Sequence, residues 1–306
     1  MTAVPRCLAL LCLLTASLAA HPDHTATQKS DVRLLPAKFS SPGTSTVSIK
    51  IVGNNRVVTA NGLPDHDTVR FPNRDNPNPI REQRYRYTMP AAPKANDQPT
   101  PLVRQPFGVA LNGVLFDPST AAYWQEDRNS GWHYEAKGNA FSLGLDVNNA
   151  HVQPNGAYHY HGIPTALLKR LSGDKPQLTL VGWAADGFPI YAAWGHRVAD
   201  DATSEVVRLR SSYQLKPGPR PGTDGQPDGV HDGIFEEDFV FVAGSGDLDE
   251  CGGRVGVTPE FPNGTYYYVL TDDFPFVPRA FRGTPDPSFV QRHGRDSSDA
   301  PRRRRG

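Results

Sequence analysis

Cysteine is nearly absent. The 306 residues contain 3, and two of them, Cys7 and Cys12, lie in a stretch expected to be removed. Cys251 is then left without an intramolecular partner, so a disulfide framework is excluded. A mature chain of this size must be held by its core or by a metal. Long apolar runs are missing as well, and no stretch is long enough to span a bilayer. Neither sign of charge is in excess, with Lys+Arg and Asp+Glu at 32 each, so no overall field draws nucleic acid or an acidic surface. The chain lacks a P-loop, a G-x-G-x-x-G unit and a serine nucleophile elbow, which argues against nucleotide cofactors and serine hydrolysis.

What is abundant is turn chemistry. Gly 28 and Pro 29 interrupt the sequence every few residues, a pattern that favours short strands and structured loops over long helices. Residues 1–20 read as a secretory signal: Arg6 carries the charge, Cys7 to Leu14 form the apolar run, and Ser17-Leu18-Ala19-Ala20 offer small residues for cleavage. Residues 21–45 read as a flexible leader, 46–290 as one domain and 291–306 as a basic disordered tail. Cleavage after Ala20 would place His21 at the amino terminus, where copper could be chelated. The expected fold is mostly β, a single sandwich-like domain with long Pro/Gly-rich loops and one short helix, Thr165 to Leu171. Strand patterns include Val47 to Val52, Arg56 to Ala60, Arg84 to Met89, the region around the Asn112-Gly113 turn, and Leu178 to Val181.

The stretch with the densest chemistry is His151 to Pro164, H-V-Q-P-N-G-A-Y-H-Y-H-G-I-P. Pro154, Asn155 and Gly156 supply a turn, and Tyr158 to His161 read as a strand. Neighbours on a strand point to opposite faces, so His159 and His161 share one face and Tyr158 and Tyr160 the other. Turn length decides whether His151 joins them. A three-residue loop pairs Gln153 with Ala157 and sets His151 opposite His159; a two-residue Asn-Gly turn sets it opposite Tyr160. Asn149 would suit a polar face, which favours the three-residue loop. Histidines in tyrosine-rich strands are also often plain hydrogen-bonded residues. Three imidazoles on one face would nonetheless chelate a transition metal, zinc or copper, and leave a position open.

Other residues could add to such a site. Asp186, in a Gly-flanked turn, could be a ligand, an outer partner or a base, or could simply cap turn N–H groups. Glu250 stands in the Gly246 to Gly253 loop with Asp247, Asp249 and Cys251, and the loop could deliver a carboxylate or solvate a turn. Cys251 could be a soft ligand or a small buried hydrophobe. Asp224, Asp228 and Asp232 are each followed by Gly, but their spacing does not match an EF-hand loop. One motif recurs: Pro154-Asn155-Gly156-Ala157-Tyr158-His159-Tyr160 is echoed by Pro262-Asn263-Gly264-Thr265-Tyr266-Tyr267-Tyr268. The second copy has Tyr267 and Val269 in place of His159 and His161, as expected if two hairpins share a structural role and only one carries ligands. Asn263-Gly264-Thr265 is also a glycosylation sequon in a eukaryotic setting.

Three segments resemble the YHYH domain family: A-H-V-Q-P-N-G-A-Y-H-Y-H-G from Ala150, G-W-A-A-D-G-F-P-I-Y from Gly182, and G-D-L-D-E-C-G-G-R-V-G-V-T-P-E-F-P-N-G-T-Y from Gly246. The resemblance covers roughly Val47 to Phe289, and Cys251-Gly252-Gly253-Arg254 stands where the family pattern suggests C-N-G-R. It implies an exported protein and names no reaction. G-A-Y-H-Y-H is also similar to a histidine-bearing strand of multicopper oxidases, although the further H-x-H motifs and the Cys-His pair of those proteins are missing.

These readings point to a secreted protein, extracellular or periplasmic, with His151, His159 and His161 as metal ligands and Asp186 and Glu250 as candidate catalytic carboxylates. Its partner would be a small molecule or an extracellular ligand. The rival expectation is a non-catalytic interaction or carbohydrate-binding module in which Trp124, Trp132 and Trp183 form the binding surface.

Overall fold

The computed structural model describes residues 33–290 apart from 104, 174 and 224. The signal, the first part of the leader (21–32), the basic tail and Asp224 lie outside the described residues. The described part of the leader is bound along the domain: Leu35 donates to the Leu145 carbonyl at 2.9 Å, and Phe39 and Thr68 exchange backbone hydrogen bonds.

The chain is mostly β. Strands β1 (Val47–Val52), β2 (Asn55–Ala60) and β3 (Tyr85–Pro90) form an antiparallel sheet of three. Short β4 (Thr100–Pro101) pairs with a distant C-terminal strand. Next come β5 (Gly108–Ala110), β6 (Leu115–Phe116), β7 (Ala150–Val152), β8 (Tyr158–Tyr160), β9 (Leu180–Ala184) and β10 (Pro189–Ala192). The ribbons β11 (Trp194–His196) with β12 (Val206–Arg208), and β13 (Tyr213–Leu215) with β14 (Phe239–Phe241), follow. The chain closes with β15 (Gly253–Thr258), β16 (Phe261–Leu270) and β17 (Ala280–Phe281), the last being the partner of β4. The one α-helix among the described residues, α1 (Thr165–Ser172), begins just after Pro164 and ends at Gly173.

The main sheet has eight strands in the order β15-β16-β10-β9-β5-β6-β8-β7. It packs against the three-stranded sheet through one core, in which Val58, Tyr87 and Met89 meet Phe107, Phe116, Tyr160, Ile190 and Tyr268. Burying large aromatic and β-branched side chains between two sheets is the main stabilising term of such a sandwich. On one side of this core Arg56 lies over the Trp183 ring, 3.2 Å from its centroid, and burial lowers the guanidinium to about 10.

The sheet has an internal two-fold pattern. At its centre β5 and β9 pair with Val109 opposite Trp183, Gly108 opposite Ala184 and Ala110 opposite Gly182. Each begins a hairpin of the same form, Ala110-Leu111-Asn112-Gly113-Val114 and Ala184-Ala185-Asp186-Gly187-Phe188. In both the glycine N–H bonds to the first alanine carbonyl, at 2.8 and 2.9 Å. Beyond them, β8 runs parallel to β6 with Tyr160 opposite Phe116, and β16 runs parallel to β10 with Tyr268 opposite Ile190. Tyr160 then receives a hydrogen bond from Asn112 at 2.9 Å, as Tyr268 gives one to Asp186 at 2.5 Å. The sequence echo thus belongs to the inner strands of the two edge hairpins.

One expectation changes here. Pro262-Asn263-Gly264 is not a hairpin turn but lies within β16, because Phe261 already pairs with Thr258 and the chain reverses at residues 259–260. Gly264 keeps a positive φ of 87° beside an irregular stretch of β15 between Gly256 and Thr258. The same three letters serve as a turn in one half and as a distortion within a strand in the other.

Candidate metal centre

In the hairpin β7–β8 the pairs are Ala150 with Tyr160, His151 with His159 and Val152 with Tyr158. Gln153 donates to the Ala157 carbonyl at 3.0 Å, and Gly156 donates back to Gln153 at 2.8 Å. Gly156 takes φ 89°, which a side chain would resist. This is the three-residue loop, and it puts His151 on the face of His159. Tyr158 and Tyr160 point the other way: the Tyr158 hydroxyl donates to Asp146 at 2.6 Å, while that of Tyr160 meets His66 and Asn112.

The three imidazoles close into a nearly regular triangle. Ring centroids are 4.7, 4.8 and 4.7 Å apart. The Nε2 atom of His161 lies 2.9 Å from that of His159 and 3.1 Å from that of His151. Around an ion with metal–nitrogen bonds of about 2.0 Å, tetrahedral ligand atoms stand roughly 3.3 Å apart; the two separations from His161 are near that value, and the ligand atoms of all three rings lie within 4.8 Å of one another. Among the described residues no carboxylate or thiolate joins the group. His159 and His161 are 2% and 1% exposed, and His151 is half-buried.

Outer contacts aim the rings. His151 Nδ1 is 3.0 Å from the Leu143 carbonyl, and His159 Nδ1 is 3.2 Å from that of Ala157. Both carbonyls call for a proton on Nδ1, which leaves Nε2 bare and directed inward. His161 Nδ1 faces the Pro118 carbonyl without forming a good hydrogen bond. These three rings are frustrated when neutral. If His161 carries its proton on Nδ1, three Nε2 lone pairs meet at the centre. If it carries it on Nε2, that proton serves His159 and His151, but Nδ1 becomes a buried acceptor with no donor. Protonation is no remedy, since burial lowers all three imidazoles from their ordinary value, His159 and His161 strongly, and each ring disfavours charge on its neighbours. A cation at the centre would satisfy the three inward lone pairs.

The other half of the sheet shows what this face holds without histidines. Tyr267 and Val269 occupy the places of His159 and His161, and Arg254, opposite Tyr267, that of His151. Tyr267 and Val269 pack there with Tyr191, Leu209 and Leu248 in an ordinary apolar cluster. The fold therefore does not require imidazoles at these positions.

The carboxylates expected at the site are not brought to it. Asp186 is buried and fully used by its surroundings, accepting from Tyr268, from Gly283 N at 2.9 Å and from Phe188 N at 3.3 Å. This is the turn-capping role. Glu250 is exposed, and its carbonyl accepts the Tyr213 hydroxyl at 2.9 Å. Cys251 is fully buried in the main core, and burial raises its thiol to about 12, the behaviour of a small hydrophobe. Trp132 and Trp183 are buried and Trp124 half-buried, so the three tryptophans do not make a binding surface. Asp228 and Asp232 belong to a loop pinned by Arg220, which also bonds Asp238 at 2.7 and 2.8 Å.

Residues that local patterns did not reveal surround the trio. Asn76 reaches His151 and the Leu143 carbonyl. Half-buried Arg279 reaches the Pro118 carbonyl at 3.3 Å and pairs with Glu135 and Glu236. Asp117 donates its backbone N–H to Tyr160 and accepts from Gln153 at 3.1 Å, and burial raises its carboxyl to about 6. Burial likewise raises Glu135 to about 7. The only local hint of Asn76 is the density of Asn and Pro in Phe71 to Ile80.

No helix among the described residues is long and apolar enough to cross a membrane. Comparison with curated proteins and with solved structures gives no match. A family model described as YHYH protein matches residues 86–283, a span that holds the hairpin, the Asp186 turn and the whole eight-stranded sheet. The chain belongs to the YHYH protein family.

Proposed function

We propose that this is an exported metal-binding protein that holds one transition-metal ion, zinc or copper, on the Nε2 atoms of His151, His159 and His161. The observation that carries the reading is the convergence of three Nε2 atoms, on two buried rings and one half-buried ring, two of them bared by carbonyls at the far nitrogen. Three neutral imidazoles suit either metal, and a tetrahedral ion held by three side chains keeps one position for water or a small ligand. Zinc there would supply a metal-bound hydroxide for hydrolysis; copper would serve redox chemistry or copper handling. The protein's own part is to present bare nitrogens in a dry, fixed triangle. Elemental analysis of protein purified without an affinity tag tests the reading and chooses the metal. Near one equivalent of zinc or copper supports it. A metal-free protein whose melting is unmoved by either ion contradicts it.

A further inference from the structure

We infer that Asn76 is the positioning residue for His151, and that the loop it anchors, Asn73 to Asn78, covers the side from which a metal reaches the trio; the inference rests on the metal-centre reading above. Asn76 is 4% exposed and every polar atom of its amide is engaged. The nitrogen donates to the Val152 carbonyl at 3.0 Å and toward the Leu143 carbonyl at 3.4 Å, and stands 3.3 Å from His151 Nδ1. Its oxygen accepts from Asn78 N at 3.1 Å. One side chain thus grips the strand next to His151 and the carbonyl that accepts from His151, with its amide packed against the ring nitrogen. Asn73 stiffens the loop behind it, its Oδ1 accepting from Asp75 N at 3.0 Å and from Asn76 N at 2.9 Å.

His159 and His161 are sealed, whereas His151 is the ring with solvent contact. A cavity of about 390 Å³ is bounded by Arg33, Leu35, Asn73, Arg74, Asp75 and Ser142. Asp75 and Ser142 are the chain neighbours of Asn76 and Leu143, so this cavity adjoins the two segments that hold His151. Displacing them would release the His151 ring and open the trio. Without the Asn76 amide, the Leu143 carbonyl that orients the His151 ring loses its tether, and outer partners of this kind typically change metal affinity about 10–100-fold.

The test uses the full chain with zinc as the probe, following release into excess chelator by stopped flow. Asn78→Ala is the control, because Asn78 also donates to the Val152 carbonyl, at 2.9 Å, but has no contact with His151. Asn76→Ala is expected to release zinc about 10-fold faster or more, with Asn78→Ala close to wild type. In metal-free protein, the ring-nitrogen NMR signals of His151 are expected to shift in Asn76→Ala and to stay in Asn78→Ala. Equal release by wild type and Asn76→Ala, or equal acceleration and equal signal shifts in both variants, overturns the inference while leaving the metal centre standing. A wild-type protein that retains no zinc or copper overturns both. Should Asn76→Ala fail to fold, Asn76→Ser, too short to reach the ring, is held to the same outcomes.

Discussion

Replacing His161 by valine separates a ligand from a structural residue. Valine is what the other half of the sheet carries at the matching place, where Val269 is 1% exposed in an apolar cluster. In the metal-free protein His161 leaves one buried nitrogen unsatisfied, a cost of about 1–3 kcal/mol. Valine removes that cost but fills the space less well, which returns roughly 0.5–1.5 kcal/mol. The variant is therefore expected to gain about 1 kcal/mol without metal, worth some 2–4 °C in a domain of this size. With metal at about 100 times its Kd the wild type gains about 2.7 kcal/mol, which a site of two imidazoles does not match. Calorimetric melting in chelator and in excess zinc should show the order reversing: the variant melts higher in chelator and the wild type melts higher in zinc. A variant that is less stable in both conditions, or that keeps the zinc shift, would refute the reasoning. The first result would make His161 a structural residue, and the second would place the metal elsewhere.

Other outcomes follow from the same geometry. Tyr160→Phe removes a hydroxyl 2.7 Å from His66 Nε2 and 2.9 Å from Asn112 on the face away from the trio. It is expected to lower stability by about 1–3 kcal/mol and to leave zinc affinity unchanged in a chelator competition; loss of zinc would break the facing argument. Burial holds the Asp117 carboxyl at about 6, above the ~3.9 of an unfolded chain, so its contribution is whole below pH 4 and is lost as pH rises through about 6. Asp117→Asn should accordingly be more favourable relative to wild type at pH 8 than at pH 5 in denaturant titrations, and an equal difference at both would contradict the assignment. Cys251, buried with its thiol raised to about 12, is expected to react with a thiol reagent only after unfolding; rapid native labelling would show an accessible thiolate instead.

The hairpin was legible because its signals are local. Turn residues and two-residue alternation place Tyr158 to His161 on a strand. The register needed one further fact, that Gly156 takes the left-handed position of a three-residue loop, which the letters alone left open between two turns. Pro262-Asn263-Gly264 shows the limit. The same tripeptide is carried inside a strand once β10 fixes Tyr268 opposite Ile190 and the reversal falls two residues earlier. The shell around the trio was not legible for a related reason. Asn76 lies 75 residues from His151 in the chain, and Arg279 lies 161 from Pro118. Such contacts are set by packing and leave no periodicity to read. The carboxylates expected to help, Asp186 and Glu250, were placed by motif proximity, and the sheet sends one into a turn and the other to the surface.

The central claim concerns three nitrogens and one ion, and zinc titration against a competing chromophoric chelator addresses it directly. Wild-type protein should take up one equivalent per chain with high affinity. His151→Ala, His159→Ala and His161→Ala should each lose that uptake while remaining folded by circular dichroism. Uptake by wild type that survives all three substitutions, or no uptake of zinc or copper by wild type at all, would contradict the claim.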